Sequence, residues 1–352
     1  MILAPGADEV PVRVRTPGRV SGPFRAGTDG ELVMTLRCAV LDDYQAVATT
    51  AADWSSVADR VQVVGFAEHF ATEDELVSAL DGFEIVVTLR ERVPFPASVL
   101  ERLPALRLLI ASGMRNSVID FAAAERLGVT VCGTASSSIP PVELTWALIL
   151  GLARGLVVEN TALRGGGPWQ STVGADLHGR TLGVLGLGRI GTRVARIGQA
   201  FGMSVTAWSG NLTQERAAEA GVTLAASKEE LLRSSDVVTV HLVLSDRTRG
   251  LLGAPELALL RPTAYLVNTS RSTIVDQEAL LAALYSGALA GAGLDVFDVE
   301  PLPADHPLRS APRLLATPHL GYVSQDNYRT YYGEAVEDIR AFLAGAPVRL
   351  LG

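Results

Sequence analysis

Lysine is almost missing from this chain. Of its 30 basic residues only Lys228 is a lysine and the rest are arginine, a bias that a GC-rich genome produces. Lys228 lies in the polar run SKEELLRSSD, which reads as a solvated helix, so Schiff-base and phosphate-loop lysine chemistry have no good candidate. Cysteine is scarce too. Cys38 and Cys132 sit in the apolar runs RCAVLD and VTVCG, with no CxxC or metal-ligand spacing. They read as small buried hydrophobes in a reducing compartment. Positive charge is also short: the formal net charge of −8 argues against a nucleic-acid partner. The longest apolar run, LTWALILGLA from Leu144 to Ala153, is about half of a bilayer span, and the first residues lack the apolar core of a secretory signal. No membrane partner is expected, and cytoplasm is the default location.

What is present is an alternating pattern. At 352 residues and 48% hydrophobic content, the chain can fill two ordinary domains, each with its own core. Residues 1–34 are rich in Pro, Gly and Arg without periodicity and read as a flexible N-terminal extension, with Met34 a candidate start of translation. From residue 35, CAVLD, VQVVG, EIVVT, RLLIA and VTVCG are short β-rich runs. Between them TEDELVSALDGF opens on a capping box of Thr72 and Glu75, and SVIDFAAAERLG closes on Gly128. Alternation of this kind predicts parallel strands joined by crossover helices. A long apolar helix is expected from about Pro141 to Leu156, serving as a core helix or a dimer interface. A second alternating series runs from TLGVLGLG to LLATPHLGY. After it, QDNYRTYYGEAVEDIRAFLAG reads as one amphipathic helix ending at Gly345.

The stretch TLGVLGLGRIGTRVARIGQAFGMSVTAW carries the most information. An apolar run leads into Gly186-Leu187-Gly188-Arg189-Ile190-Gly191, then a helical pattern, then a second β-rich run. In that context GxGxxG predicts a dinucleotide site. Gly186 permits a tight turn, Gly188 lets backbone approach a pyrophosphate, and Gly191 lets helix and strand pack closely. The helix N-terminus presents N–H groups to the phosphates, and Arg189 adds charge. A carboxylate about 20 residues on would bond the ribose of NAD and repel the extra phosphate of NADP. Here Ser209 stands in that place. From Leu187 to Gln214 there is no Asp or Glu at all, and Asn211 or Arg216 could bond a phosphate.

Three later segments carry reactive side chains. AYLVNTSRSTIVD holds Arg271, GAGLDVFDVEP holds Asp295 and Glu300, and LLATPHLGY holds His319. Over residues 35 to 345, GxGxxG with NTSR, LDVFxxEP and TPHLG in this order resembles the D-isomer-specific 2-hydroxyacid dehydrogenases, nearest to their phosphoglycerate-dehydrogenase-like branch. The resemblance implies that Arg271 binds a substrate carboxylate and polarises the 2-oxo group. It implies that His319 exchanges the proton, that Glu300 pairs with His319, and that Asp295 holds the nicotinamide carboxamide. General chemistry agrees. An alkoxide left by hydride delivery needs a proton, histidine is poised to give one near neutral pH, and guanidinium matches carboxylate bidentately. Further cofactor contacts are implied for Thr145, for His241, Leu242, Val243 and Thr248, for Asn268, Thr269 and Ser270, and for Gly321. Leu144 departs from the family pattern.

In the first part of the chain, IASGMRNSVID resembles the loop that holds the substrate carboxylate through backbone N–H groups, placing Ser112, Gly113, Met114 and Arg115 at the substrate with Arg90. Arg115, with Arg90 and Arg92, could add positive charge for a phosphorylated or dicarboxylic substrate, a solvated salt bridge fits these three equally, and Tyr44 is a weaker pocket candidate. His69 and His306 read as surface residues, and His178 as preceding the first cofactor strand.

The expectation is therefore an α/β protein of two domains. A Rossmann doubly wound NAD(P)-binding domain, residues 134–319, is inserted into a flavodoxin-like substrate-binding domain of residues 35–133 completed by 320–352. It would interconvert a 2-oxo acid and a D-2-hydroxy acid, with a small-molecule substrate, no metal and a homodimer implied by the resemblance. A nucleotide-sensing corepressor on the same scaffold is the alternative. A formate-dehydrogenase-like enzyme is disfavoured by Glu300, where that group carries Gln. The missing carboxylate predicts that NADPH is tolerated and leaves open that it is preferred. Comparing rates with NADH and NADPH checks this, and a strong NADH preference would contradict it.

Overall fold

Four-residue runs with every residue buried, such as Ile85–Thr88, Leu108–Ala111 and Val237–Val240, are what parallel strands covered on both faces require. The computed structural model describes residues 35–352. The proposed extension and the alternative start at Met34 lie outside the described residues. Strands β1 (Leu36–Val40), β2 (Val61–Gly65), β3 (Ile85–Thr88), β4 (Leu108–Ala111) and β5 (Thr130–Gly133) form one parallel sheet in the order β2-β1-β3-β4-β5. This is the flavodoxin-like doubly wound order.

A second parallel sheet takes β6 (Thr181–Leu185), β7 (Ser204–Trp208), β8 (Thr223–Leu224), β9 (Val237–Val240), β10 (Tyr265–Asn268), β11 (Gly291–Leu294) and β12 (Leu314–Ala316), in the order β12-β11-β10-β9-β6-β7-β8. Counted from β6 this is the Rossmann order with one strand added at the edge. Its switch point lies between β6 and β9, and the glycine-rich turn follows β6. In such sheets ligands bind beyond the carboxyl ends of the strands at the switch point. The fold alone therefore sets the glycine turn and the ends of β10 to β12 on one rim.

The helices begin where side chains replace missing backbone partners. Thr72, Asp120, Thr213, Ser227, Asp276 and Ser324 each accept the N–H three residues on, the usual helix-start device. At Thr72 the expected reciprocal box is only half made, because Glu75 reaches past the cap to the N–H of Ala71 (3.0 Å). The final helix, Gln325–Leu343, ends ahead of the left-handed Gly345. It buries Tyr331, Tyr332 and Ile339 against Cys38, Val40, Ile110 and Cys132 of the first sheet. Burial pushes the Cys132 thiol up to about 12, so Cys132 serves that core as a hydrophobe.

Two expectations fail in instructive ways. The apolar helix does not run from Pro141 to Leu156. It spans Ile139–Ala153 and breaks at Gly155, whose φ of 58° is left-handed, and a second helix, Leu156–Arg164, leaves at 64°. The first packs Val142, Trp146 and Ile149 into the core of the second sheet, while Leu156, Val157, Val158 and Leu163 of the second are all more than half exposed. Lys228, in turn, is not solvated. Its ammonium is mostly covered and donates to Glu256 (2.9 Å) and to the Leu251 carbonyl (3.2 Å). No single helix among the described residues is long and apolar enough to cross a membrane.

Candidate active site

The three motif glycines occupy different environments. A Cβ on Gly186, where φ is 99°, would stand 2.7 Å from the His241 carbonyl oxygen, and one on Gly191 would collide with the Gly186 carbonyl oxygen. Gly188 meets nothing within 4 Å. Two glycines thus close the turn and the third leaves backbone open at the start of the helix Arg189–Ala200, where N–H groups and the dipole favour an anion. Those features fit a pyrophosphate. Leu187 is buried and Ile190 packs partly against the same core, which leaves their backbone for a ligand, whereas Arg189 is exposed. Ser209 is half-buried after β7. The Arg216 guanidinium bends back to donate to the Leu187 carbonyl (3.4 Å), which brings a positive charge to the glycine turn.

Around that turn, side chains fix loops. Burial pushes the His241 imidazole down to about 3, so it stays neutral, bonded to Thr239 (2.9 Å). Leu242 offers its carbonyl to the Ser270 hydroxyl (2.5 Å). Thr248 accepts from Ser245 N–H and donates to the Val243 carbonyl, both at 2.8 Å, while the Val243 side chain is exposed. The buried Thr145 hydroxyl donates to Pro141 O (2.7 Å), so its 2.8 Å bond to Thr269 is one that Thr269 donates. Asn268, also buried, accepts from Ser270 N–H (3.0 Å) and donates to the Arg271 carbonyl (2.9 Å). The NTSR motif is thus a turn that aims Arg271.

Asp295 does a similar service for the histidine. Wholly buried at the end of β11, its carboxylate accepts from Thr317 Oγ1 (2.7 Å), Leu320 N–H (2.6 Å) and Gly321 N–H (2.8 Å). Burial nonetheless raises its carboxyl above the usual range. The carboxylate expected at a carboxamide is therefore engaged with the loop 317–321. That loop sets His319 at φ 53°, a conformation costly for a side-chain-bearing residue and kept only where the surroundings impose it. His319 Nδ1 then meets Glu300 Oε2 at 2.6 Å, and Glu300 Oε1 accepts Phe297 N–H at 2.9 Å. Burial pushes the Glu300 carboxyl up, but its bond to His319, the imidazole's charge and Arg92 together hold it below the usual range. With Nδ1 so engaged, Nε2 is the nitrogen left for other partners.

Arg271 and His319 meet the first sheet at neighbouring residues. One arm of the Arg271 guanidinium is bonded to the Glu91 carboxylate and the other to Ser270 O (2.9 Å). Arg92 is bonded to the Tyr322 hydroxyl and donates to the His319 carbonyl (3.3 Å). Glu91 and Arg92 are consecutive, with Cα atoms about 3.8 Å apart. The segment after β3 thus meets the Arg271 guanidinium at one residue and the backbone of His319 at the next. Beside it, a cavity of about 630 Å³ is bordered by Tyr44, Arg92, Glu300, His319 and Tyr322, and Tyr322 lies edge-on to His319 with ring centres 5.7 Å apart.

In the loop after β4 the donors differ from expectation. Ser112 N–H is spent on Thr88 O (3.0 Å) and Gly113 N–H on Thr134 Oγ1 (3.2 Å), while Ser112 Oγ accepts from Arg90 N–H (2.6 Å). That leaves the backbone N–H groups of the exposed Met114 and Arg115 free of protein acceptors among the described residues. Arg90 sits at φ 56° with its guanidinium on Ser112 O (3.3 Å). His69 is no plain surface residue, since its Nδ1 lies 3.0 Å from the buried Asp42 carboxylate that also accepts from Tyr44. His306 accepts from Leu308 N–H (3.2 Å) and caps a short turn, and His178 is exposed just before β6. The residues missed from sequence are Glu91, Asp42 and Tyr322. The alternating charges of TLRERV at a strand end were the available signal for Glu91.

Fold and site together define a nicotinamide-dinucleotide oxidoreductase of 2-hydroxy acids. A family model described as D-isomer specific 2-hydroxyacid dehydrogenase, NAD binding domain, matches residues 146–321, and the chain belongs to that family. It is 38% identical over 282 residues to the glyoxylate reductase of Aeropyrum pernix, covering 78% of this chain and 83% of that one. It is 36% identical over 263 residues to the D-3-phosphoglycerate dehydrogenase of Bacillus subtilis, covering 74% of this chain but only 50% of the relative, so it spans about half that enzyme's length. Among solved structures, a phosphoglycerate oxidoreductase from Vibrio cholerae superimposes with a TM-score of 0.84 at 36% identity, over 89% of this chain and all of that one.

The Glu300 pairing has a defined pH sense. A carboxyl whose value is lowered by folding stabilises the folded state above its ordinary value, about 4.3, and that contribution is lost as pH falls through the lowered value. Glu300→Gln should therefore lower the melting temperature at pH 7, with the deficit shrinking as pH drops below about 4. Thermal melts of both proteins across that range check it, and a deficit independent of pH would contradict it.

Proposed function

We propose that the protein reduces a 2-oxo acid to a D-2-hydroxy acid, and runs the reverse oxidation. The observation that carries this reading is the convergence of Arg271 and of the Glu300-held His319 on the segment Arg90–Arg92. The nicotinamide coenzyme, when bound, supplies or accepts the hydride. The Arg271 guanidinium offers parallel N–H donors to the substrate carboxylate, fixing the acid and polarising the adjacent oxo group. Hydride addition at C2 leaves an alkoxide, and His319 gives it a proton from Nε2. In oxidation the same nitrogen takes that proton back. Glu300 holds the ring's orientation through Nδ1, and Asp295 fixes the loop that carries it. The N–H groups of the exposed Met114 and Arg115, without protein acceptors among the described residues, support a role as further carboxylate donors.

The finer features of this reading rest on separate observations. Arg216 at the glycine turn, with no carboxylate between Leu187 and Gln214, supports acceptance of NADPH beside NADH. The bared side chains of Leu156, Val157, Val158 and Leu163, with Trp169 81% exposed nearby, support a homodimer formed along the helix Leu156–Arg164. The two sheets support domain limits of 35–133 with 320–352, and 134–319. Unpaired buried cysteines support a reducing, cytoplasmic setting.

The test is a panel of glyoxylate, hydroxypyruvate, pyruvate, phenylpyruvate, 2-oxoglutarate and phosphohydroxypyruvate with each reduced coenzyme, run on the wild type and on His319→Ala. Turnover should fall by about 10²–10⁴-fold in the variant, while its coenzyme affinity stays within about twofold, a gap far smaller than that loss. Undiminished turnover would end the proton-donor assignment.

A further inference from the structure

The Arg271 guanidinium is occupied. Glu91, 180 residues away in sequence, bonds it directly, and the other Glu91 oxygen accepts from the Ser117 hydroxyl (3.0 Å). The pair is partly covered, with side-chain exposures of 37% for Arg271 and 23% for Glu91. Burial alone would raise the Glu91 carboxyl, yet Arg271, Ser117 and Arg90 hold it below the usual range, so it is an anion under ordinary conditions. An internal carboxylate, gripped from two sides, thus sits on the group that a substrate carboxylate would need.

We propose that Glu91 is a specificity-determining competitor, a built-in carboxylate that every substrate acid must displace from Arg271. The proposal rests on the reading of Arg271 as the substrate's carboxylate partner. Binding is then an exchange of ion pairs. The substrate carboxylate takes the guanidinium donors, and Glu91 keeps its Ser117 bond and turns to Arg90, whose charge already acts on it. No net charge is stranded, so the exchange can be nearly balanced. Because Glu91 comes from the first sheet and Arg271 from the second, the same bond ties the two rims together until an acid replaces it. The consequence is selection. A ligand without a carboxylate cannot repay the broken pair, while an acid gains only the difference between two like bonds.

The experiment uses the NADH-loaded enzyme with oxamate as the carboxylate probe and glyoxylate as the substrate. In Glu91→Gln the neutral amide competes weakly, so the oxamate Kd and the glyoxylate KM should both fall by about two- to fivefold, the range that a partly exposed ion pair supports, with kcat little changed. Ser117→Ala, which only loosens Glu91, should move both values the same way by less. In an Arg271→Gln background the Glu91→Gln effect on oxamate affinity should vanish, as a double-mutant cycle requires. Unchanged or weakened oxamate binding in Glu91→Gln, with Arg271→Gln binding oxamate poorly, would overturn the competitor role and leave Arg271's role standing. Undiminished oxamate binding in Arg271→Gln would overturn both.

Discussion

Three consecutive residues of alternating charge, Arg90, Glu91 and Arg92, are the contact on which the site depends. They follow β3 of the first sheet and are engaged by the second at two points, through Arg271 on Glu91 and through the His319 carbonyl on Arg92. Charged groups taken partly out of water must find partners, and here Glu91 has Arg271 and Ser117 while Arg92 has Tyr322 and the His319 carbonyl. Each sheet has its own buried cluster. Their rims meet along this strip of charge, through Arg92 on the His319 carbonyl and Glu91 on Arg271.

Behind the strip, buried polar groups do the positioning. Asp295 holds the loop of His319 and Asn268 the turn of Arg271. Both are buried at the ends of strands, where a rigid sheet defines direction better than a free loop would. The cost is real, since Asp295 is kept in the interior with its carboxyl raised and His319 in a left-handed conformation. Such costs are met at functional sites, where the surroundings fix one geometry against local preference. Nε2 of His319 and the Arg271 guanidinium, the latter held by Glu91 and the Ser270 carbonyl, stand at the edge of that rigid frame.

The fold was legible because its signals are local. Short apolar runs, the GxGxxG turn and the cap at Thr72 are each read within a few positions, and they place the strands of both sheets and the start of the helix at Glu73. The Glu300–His319 pair was legible by analogy of motif order. Other features depend on partners far along the chain. Nothing near Glu91 announces Arg271, nothing near His69 announces Asp42, and Lys228 looks solvated until Glu256 is brought beside it. The helix break at Gly155 is a different case. A single glycine amid apolar residues is a weak stop by propensity, and here the left-handed turn outweighed the apolar pattern.

The central claim is that Arg271 and His319 address one substrate together. A crystal structure of the enzyme with NADH and oxamate tests it most directly. The account predicts the oxamate carboxylate on the Arg271 guanidinium, Glu91 moved off it, and the oxamate amide oxygen about 3 Å from His319 Nε2, within hydrogen-bond reach. Oxamate bound elsewhere, or an Arg271 still held by Glu91 beside a bound acid, would contradict it.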